Sequence, residues 1–236
     1  HNDVIAMSIR GDSGFGGDVS MNHRLSVAGD ASFGNMYIAG NLIAPNLALG
    51  QLYIDTITMT PSNANDHSIA IGKDAGLTDQ SYNSIAIGSY AGETNQEEYS
   101  IAIGYQAGKT DQSSNSIAMG WKAGNDNQGE YSIAMGTDAG YEYQGNKAIA
   151  IGQESGKAYQ GAQAIAMGWK AAITSQGVYS IAMGTYAGYE NQGNECIAMG
   201  YNAGRTNQEN RTIAMGYQAG WKDQSNNSIA MGTEAG

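Results

Sequence analysis

Basic residues, cysteine, proline, phenylalanine and histidine are all scarce in this 236-residue chain. Lys and Arg number 11 against 22 Asp and Glu, for a net charge of −11, and the cations are spread singly. A nucleic-acid surface needs clustered cations to neutralise phosphates, so no nucleic-acid partner is expected, and an anionic bilayer is disfavoured for the same reason. No apolar run approaches the roughly 20 residues of a membrane span, so this segment is not expected to insert into a membrane. The single cysteine, Cys196, has no intrachain partner and reads as a small residue in a small slot. The two prolines, Pro45 and Pro61, and the histidines His1, His23 and His67 all precede residue 68. No H-E-x-x-H, G-x-S-x-G or cysteine cluster occurs. The chain is therefore expected to have no catalytic residues, no metal site and no cofactor.

What the chain does have is a repeat. From Ser68 the sequence runs SIAIGKDAGLTDQSYN, SIAIGSYAGETNQEEY, SIAIGYQAGKTDQSSN and onward without insertion or deletion. Units of 16 residues begin at 68, 84, 100, 116, 132, 148, 164, 180, 196, 212 and 228, the last one cut short at Gly236. The consensus is [S/A]-I-A-[I/M]-G-x-x-A-G-x-x-[N/D]-Q-x-x-x, and each position defines a column through the array. Such a unit is too short for a helical-hairpin repeat and suits one coil of a β-solenoid.

S-I-A-I-G alternates larger apolar and small residues at period two, which predicts a short strand with one packed face. Gly in column five and Ala-Gly in columns eight and nine mark sharp turns or close backbone approach. The polar second half, with Asn or Asp before Gln, predicts a turn and a solvated return strand. Column four changes from Ile in the first three units to Met in most later ones, and its alternation with Ile predicts core packing. The invariant glutamines Gln80, Gln96, Gln112, Gln128, Gln144, Gln160, Gln176, Gln192, Gln208 and Gln224 predict a stacked amide ladder. The expected fold is an all-β repeat solenoid, or β-roll, over 67–236, with ten full coils and a partial one. Its apolar content is too thin for a lone chain, so an intertwined or side-by-side homotrimer is expected, with the Ile and Met columns facing a shared interior. At about 4.8 Å per coil the array would be roughly 50 Å long.

Residues 1–66 lack the 16-residue period. Gly17, Gly29, Gly40 and Gly50 open segments such as GDVSMNHRLSVA and GDASFGNMYIA. The pairs Leu25 and Val27, Met36 and Ile38, and Leu52 and Ile54 read as very short strands with one apolar face. A narrower fibrous β-shaft is expected here, joined to the solenoid by the polar turn Pro61–His67. A start at His1 and a stop inside a unit suggest a fragment or a processed product.

The unit S-I-A-I-G-x-x-A resembles the repeat of trimeric autotransporter adhesin heads, which form trimeric left-handed β-rolls. The same style occurs in tail and head fibres of phages and large DNA viruses. The stretch Gly17 to Ser20, followed by N-H-R-L-S-V, is similar to shaft repeats of such viral fibres. The resemblance implies a structural fibre of a viral or phage surface appendage, located on the virion surface or outside the cell and contributing to host attachment. The head or stalk of a bacterial trimeric adhesin is the alternative. This unit differs from the bacterial head repeat in being longer and in carrying a fixed Gln, so handedness does not carry over.

Ring-bearing residues in variable columns are the candidates for recognition. Trp121, Trp169, Tyr105, Tyr201 and Tyr217 stand in column six and Trp221 in column ten, where a host glycan or receptor would meet exposed rings. Cross-coil stacking is the competing role for the same rings. Tyr141 and Tyr189 also occupy column ten, and Tyr99, Tyr131 and Tyr179 column sixteen. Asp74, Asp138, Glu154 and Glu234 share column seven, where two carboxylates in adjacent coils would resemble a glycosidase pair; solvated charges are the expected reading. The Arg10-Gly11-Asp12 tripeptide reads as chance, and Asn210 and Asn226 carry N-x-S/T acceptors for glycosylation. Thr78, Thr94 and Thr110 share a column that suggests ice binding until Asp126, Glu142 and Ala158 interrupt it. Finally, the pair of units from 116 recurs 48 residues later from 164, as if a three-coil cassette had been duplicated. Growth by whole coils suits a spacer better than a unique active site.

Overall fold

The computed structural model describes residues 67–236, and the expected shaft over 1–66 lies outside the described residues. Each 16-residue unit contributes two three-residue strands, at columns two to four and eleven to thirteen. The first set, from Ile69–Ile71 to Ile229–Met231, forms an eleven-stranded sheet, and the second, from Thr78–Gln80 to Lys222–Gln224, a ten-stranded sheet. All pairings are parallel and in register at a spacing of 16, as in Ile69↔Ile85 and Gln80↔Gln96. The described residues thus form a parallel β-solenoid with no helix, and none that is long and apolar enough to cross a membrane.

Three residues per strand would make a weak ladder on their own, but the hydrogen bonding continues through the turns. Tyr90 donates its backbone N–H to Lys73 at 2.8 Å, Gly92 to Ala107 at 3.0 Å and Asn115 to Glu98 at 3.0 Å. Each coil therefore leans on its neighbour around most of its circumference, which satisfies turn amides that would otherwise need water. To aim those amides along the axis, the chain adopts left-handed conformations in columns seven, twelve and sixteen, where non-glycine residues have φ near +55°, as at Tyr90, Asn95 and Tyr99. Such residues cost about 1–2 kcal/mol each unless Asn or Asp softens the penalty, and the second strand accordingly pairs only at columns eleven and thirteen.

Glycine is required in two columns. In column five, φ is +128° at Gly104, and an added Cβ would lie 2.4 Å from the carbonyl oxygen of Gly120 in the next coil. In column nine, a Cβ on Gly108 would lie 2.5 Å from Oε1 of Gln112. One coil breaks the second rule, because Ala172 occupies column nine with φ +48° and is fully buried.

The interior differs from the expected one. The alanines of columns three and eight are the buried face, for example Ala86, Ala91, Ala102 and Ala107 at 0% exposure. The bulkiest fully buried side chains are Gln96, Gln112 and Gln128 rather than any large apolar residue. The Ile of column two and the Ile or Met of column four lie on the opposite strand face, half-buried or exposed; Met119, Met135 and Met231 are 36%, 37% and 63% exposed. Period-two alternation was read correctly as two faces, but the packed face of the single chain is the small one, and column four is not part of its core. Two sheets joined by short turns lie so close together that only Ala, Ser and an extended amide fit between them. Column one completes the filling: Ser100 Oγ donates to the Glu97 carbonyl at 2.6 Å, and Cys196 takes the same buried slot.

The glutamines reach across this gap. Gln96 Nε2 donates to the Ile85 carbonyl of the facing sheet at 2.9 Å and to Gln112 Oε1 of the next coil at 3.2 Å. The axial ladder runs in stretches, 80–96–112, then 144–160–176–192, then 208–224. It lapses where Oε1 of Gln128, Gln144 and Gln208 has no donor.

Candidate ligand-binding edge

The turn through columns five to ten links the two strands of a coil, and its side chains in columns six, seven and ten gather along one edge of the solenoid. The left-handed residue in column seven folds the turn back, so that ring-bearing residues from different columns meet. Tyr186 of column seven illustrates this: its ring centroid lies 4.9 Å from that of Trp169, 5.4 Å from that of Tyr189 and 6.5 Å from that of Tyr201. Arg205 of column ten lies over Tyr186, Tyr189 and Trp221, with its guanidinium carbon 5.4, 5.3 and 5.9 Å from their centroids.

Two of the three expected Trp residues and two of the three expected Tyr residues are well exposed. Trp121 and Trp169 are 53% and 44% exposed, and Tyr201 and Tyr217 are 46% and 49%. Tyr105 and Trp221 are half-buried. Stacking uses much of the ring area. Tyr105 stacks on Trp121 at 4.4 Å with 26° between planes, and Tyr201 on Tyr217 at 5.4 Å with 10°. A ring stacked on its neighbour in the next coil offers solvent its edge rather than that face, so these pairs stabilise coil contact through offset stacking. Trp169 has no ring above or below it in column six, where Gln153 and Thr185 are its neighbours, and it meets Tyr186 at a tilt of 56°.

The edge thus divides into two groups. One comprises Lys73, Tyr90, Tyr105 and Trp121, with the Lys73 ammonium donating to the Tyr90 hydroxyl at 2.9 Å. That bond raises the Lys73 pKa, with help from the nearby Tyr90 and Asp74 charges. The second comprises Trp169, Tyr186, Tyr189, Tyr201, Arg205, Tyr217 and Trp221. Tyr186 and Arg205 were missed from the sequence. A signal for Arg205 was present in the duplicated cassette, where Trp, Tyr and a cation recur as Trp121, Tyr141, Lys157 and as Trp169, Tyr189, Arg205, whereas Tyr186 replaces Asp138 and had none. Only the turn geometry brings columns six, seven and ten together.

The remaining polar candidates are spoken for. Asp138 and Glu154 both approach Lys157, at 3.9 and 3.5 Å, and Glu154 also meets Lys170 at 3.9 Å, so a shared cation holds the pair. Tyr99, Tyr131 and Tyr179 are 56%, 53% and 58% exposed on the far turn. Asn210 accepts from the Asn194 backbone at 2.8 Å in an external ladder that Asn226 continues at 2.9 Å. No group of three or more His, Cys, Asp or Glu able to hold a metal occurs among the described residues. Comparison with protein-family models, curated proteins and solved structures returned no match.

Proposed function

We propose that this chain is a non-catalytic, homotrimeric fibre segment of a viral or phage surface appendage, exposed on the virion and contributing to host attachment. One observation carries the reading. The eleven-stranded sheet turns its Ile column and its Ile/Met column away from the coil interior, making an uninterrupted apolar face free of charged residues. Ten coil steps of about 4.8 Å give that face a length near 50 Å. A contiguous apolar surface of this kind marks a contact with another macromolecule, and a regular face repeating at every coil is best matched by the same face of another copy. Burial there would add roughly 1 kcal/mol for each half-exposed Ile or Met, which complements a core limited to Ala and Gln. Lateral burial and lengthening by whole coils both suit a shaft, and the resemblance to fibre repeats supplies the setting. The adjacent carboxylates Asp138 and Glu154 of column seven, held by Lys157, fit charge pairing at the surface rather than acid–base chemistry.

Light scattering coupled to size exclusion tests the assembly. A mass three times the chain's 24.7 kDa is expected, and replacing Met167 and Met183 together by Lys should reduce it towards one chain. A wild-type mass of a single chain would refute the trimer. Labelling of purified virions with antibody against this segment tests the location, and label confined to a bacterial surface would favour the adhesin alternative.

A further inference from the structure

The aromatic edge from Trp169 to Trp221 contains a guanidinium that no carboxylate of the described residues pairs with. Arg205, like Lys122, Lys147 and Lys222, joins none of the ion pairs formed by the described residues, but of the two arginines described it is the one without a carboxylate, since Arg211 meets Glu195 at 3.1 Å. Its side chain also makes no hydrogen bond there; its neighbours are the rings of Tyr186, Tyr189 and Trp221. In a chain with twice as many acidic as basic residues, a guanidinium held by π-faces alone is a prepared site. No carbonyl or carboxylate of the described residues takes up its N–H groups, and the planar fork of a guanidinium matches a carboxylate in bidentate fashion.

The surroundings suit a sugar. Trp169 is 44% exposed and has no stacking partner in its own column, with the Lys170 ammonium over its ring at 5.4 Å and Tyr186 tilted against it at 4.9 Å. Its coil and that of Arg205 are two steps apart, roughly 10 Å along the axis, so a short oligosaccharide can lie against the indole and reach the guanidinium. Tyr201 and Tyr217 present ring edges and hydroxyls alongside, at 46% and 49% exposure. The Tyr90–Tyr105–Trp121 group lacks this combination: Lys73 already meets Tyr90 and Asp74, and Lys122, over Tyr141, is an ammonium without a planar fork.

We propose that this edge binds a carboxylated sugar of an acidic glycan, with Arg205 holding the carboxylate and Trp169 supporting a ring face. The inference deepens the attachment reading above. It can fail without the trimer failing, because binding and mass are measured separately.

The test is isothermal titration of the wild-type chain with sialyllactose, with a hyaluronan oligosaccharide and with lactose as the neutral control. Binding by one acidic probe and not by lactose is expected, and the probe that binds identifies the sialic or uronic source. Arg205→Gln should weaken it at least tenfold, Arg205→Lys nearly as much because the fork is lost, and Trp169→Ala at least fivefold. Trp121→Ala, on the other aromatic group, should leave it unchanged. Equal affinity for lactose, no binding of either acid at millimolar concentration, or equal effects of Trp121→Ala and Trp169→Ala would overturn the proposal. So would an Arg205→Gln chain with altered mass in light scattering, since the edge would then be a subunit contact.

Discussion

Gln160→Met removes one rung from the longest stretch of the internal amide ladder while nearly conserving shape. Gln160 donates to the Ile149 carbonyl at 2.9 Å and to Gln176 Oε1 at 3.0 Å, and it accepts from Gln144 Nε2 at 3.1 Å. After substitution Gln144 keeps its bond to the Ile133 carbonyl at 2.8 Å, but Gln176 Oε1 loses its donor inside a residue only 2% exposed. An orphaned buried acceptor costs about 1–3 kcal/mol, and the lost bond to Ile149 about 1 kcal/mol more. The expected loss is therefore roughly 2–4 kcal/mol.

Gln128→Met is the internal control. Gln128 donates to the Ile117 carbonyl at 2.8 Å but has no amide neighbour in the ladder, and its own Oε1 is already without a donor. Its replacement should cost only about 1 kcal/mol. Thermal unfolding followed by circular dichroism, at one chain concentration and with oligomer mass checked, ranks the two variants. In a solenoid whose stability sums coil and nearest-neighbour terms, a mid-array loss is transmitted to the cooperative transition. Equal midpoints for the two variants, or no loss at Gln160→Met, would refute a ladder that acts through amide-to-amide contact.

Two further predictions rest on local features. Ala172→Gly should leave the stability of the array nearly unchanged: relief of about 1–2 kcal/mol of left-handed strain at φ +48° is offset by about 0.4–1 kcal/mol of unfolded-state freedom and about 0.8 kcal/mol for the buried methyl. A midpoint within about 2 °C of the wild type is expected, while Gly140→Ala in the same column should lower it clearly; a fall for Ala172→Gly as large as a full buried-methyl loss without relief would contradict the strain. Cys196 is fully buried, with Sγ 2.8 Å from the Glu209 carbonyl and 3.2 Å from Thr212 Oγ1, so it should resist a chromophoric disulfide reagent until denaturant opens the array. Stoichiometric labelling of the native chain within minutes would show that the coil start is open.

Coil length, strand positions and the need for Gly in columns five and nine were legible because they are local: a fixed period and a few residues with special backbone freedom express them directly. The glutamine column was legible as regular, and its regularity pointed inward. The aromatic edge was only half legible. Trp169, Tyr201, Tyr217 and Trp221 stood out as rings in variable columns, whereas Tyr186 and Arg205 did not. Their contacts depend on how the left-handed residue of column seven folds the turn, and sequence columns do not encode distances between one another.

The face assignment draws the same line more sharply. Sequence alone determined that columns two and four oppose column three, since alternate side chains on a strand point to opposite faces. It could not determine which face is inside, because the alternation is symmetric and hydrophobicity argues for burying Ile and Met. The tertiary structure decided for alanine. Two parallel sheets closed by short turns leave a gap that Ala and one spanning Gln fill, and the larger side chains are pushed outward, where only a partner surface can cover them.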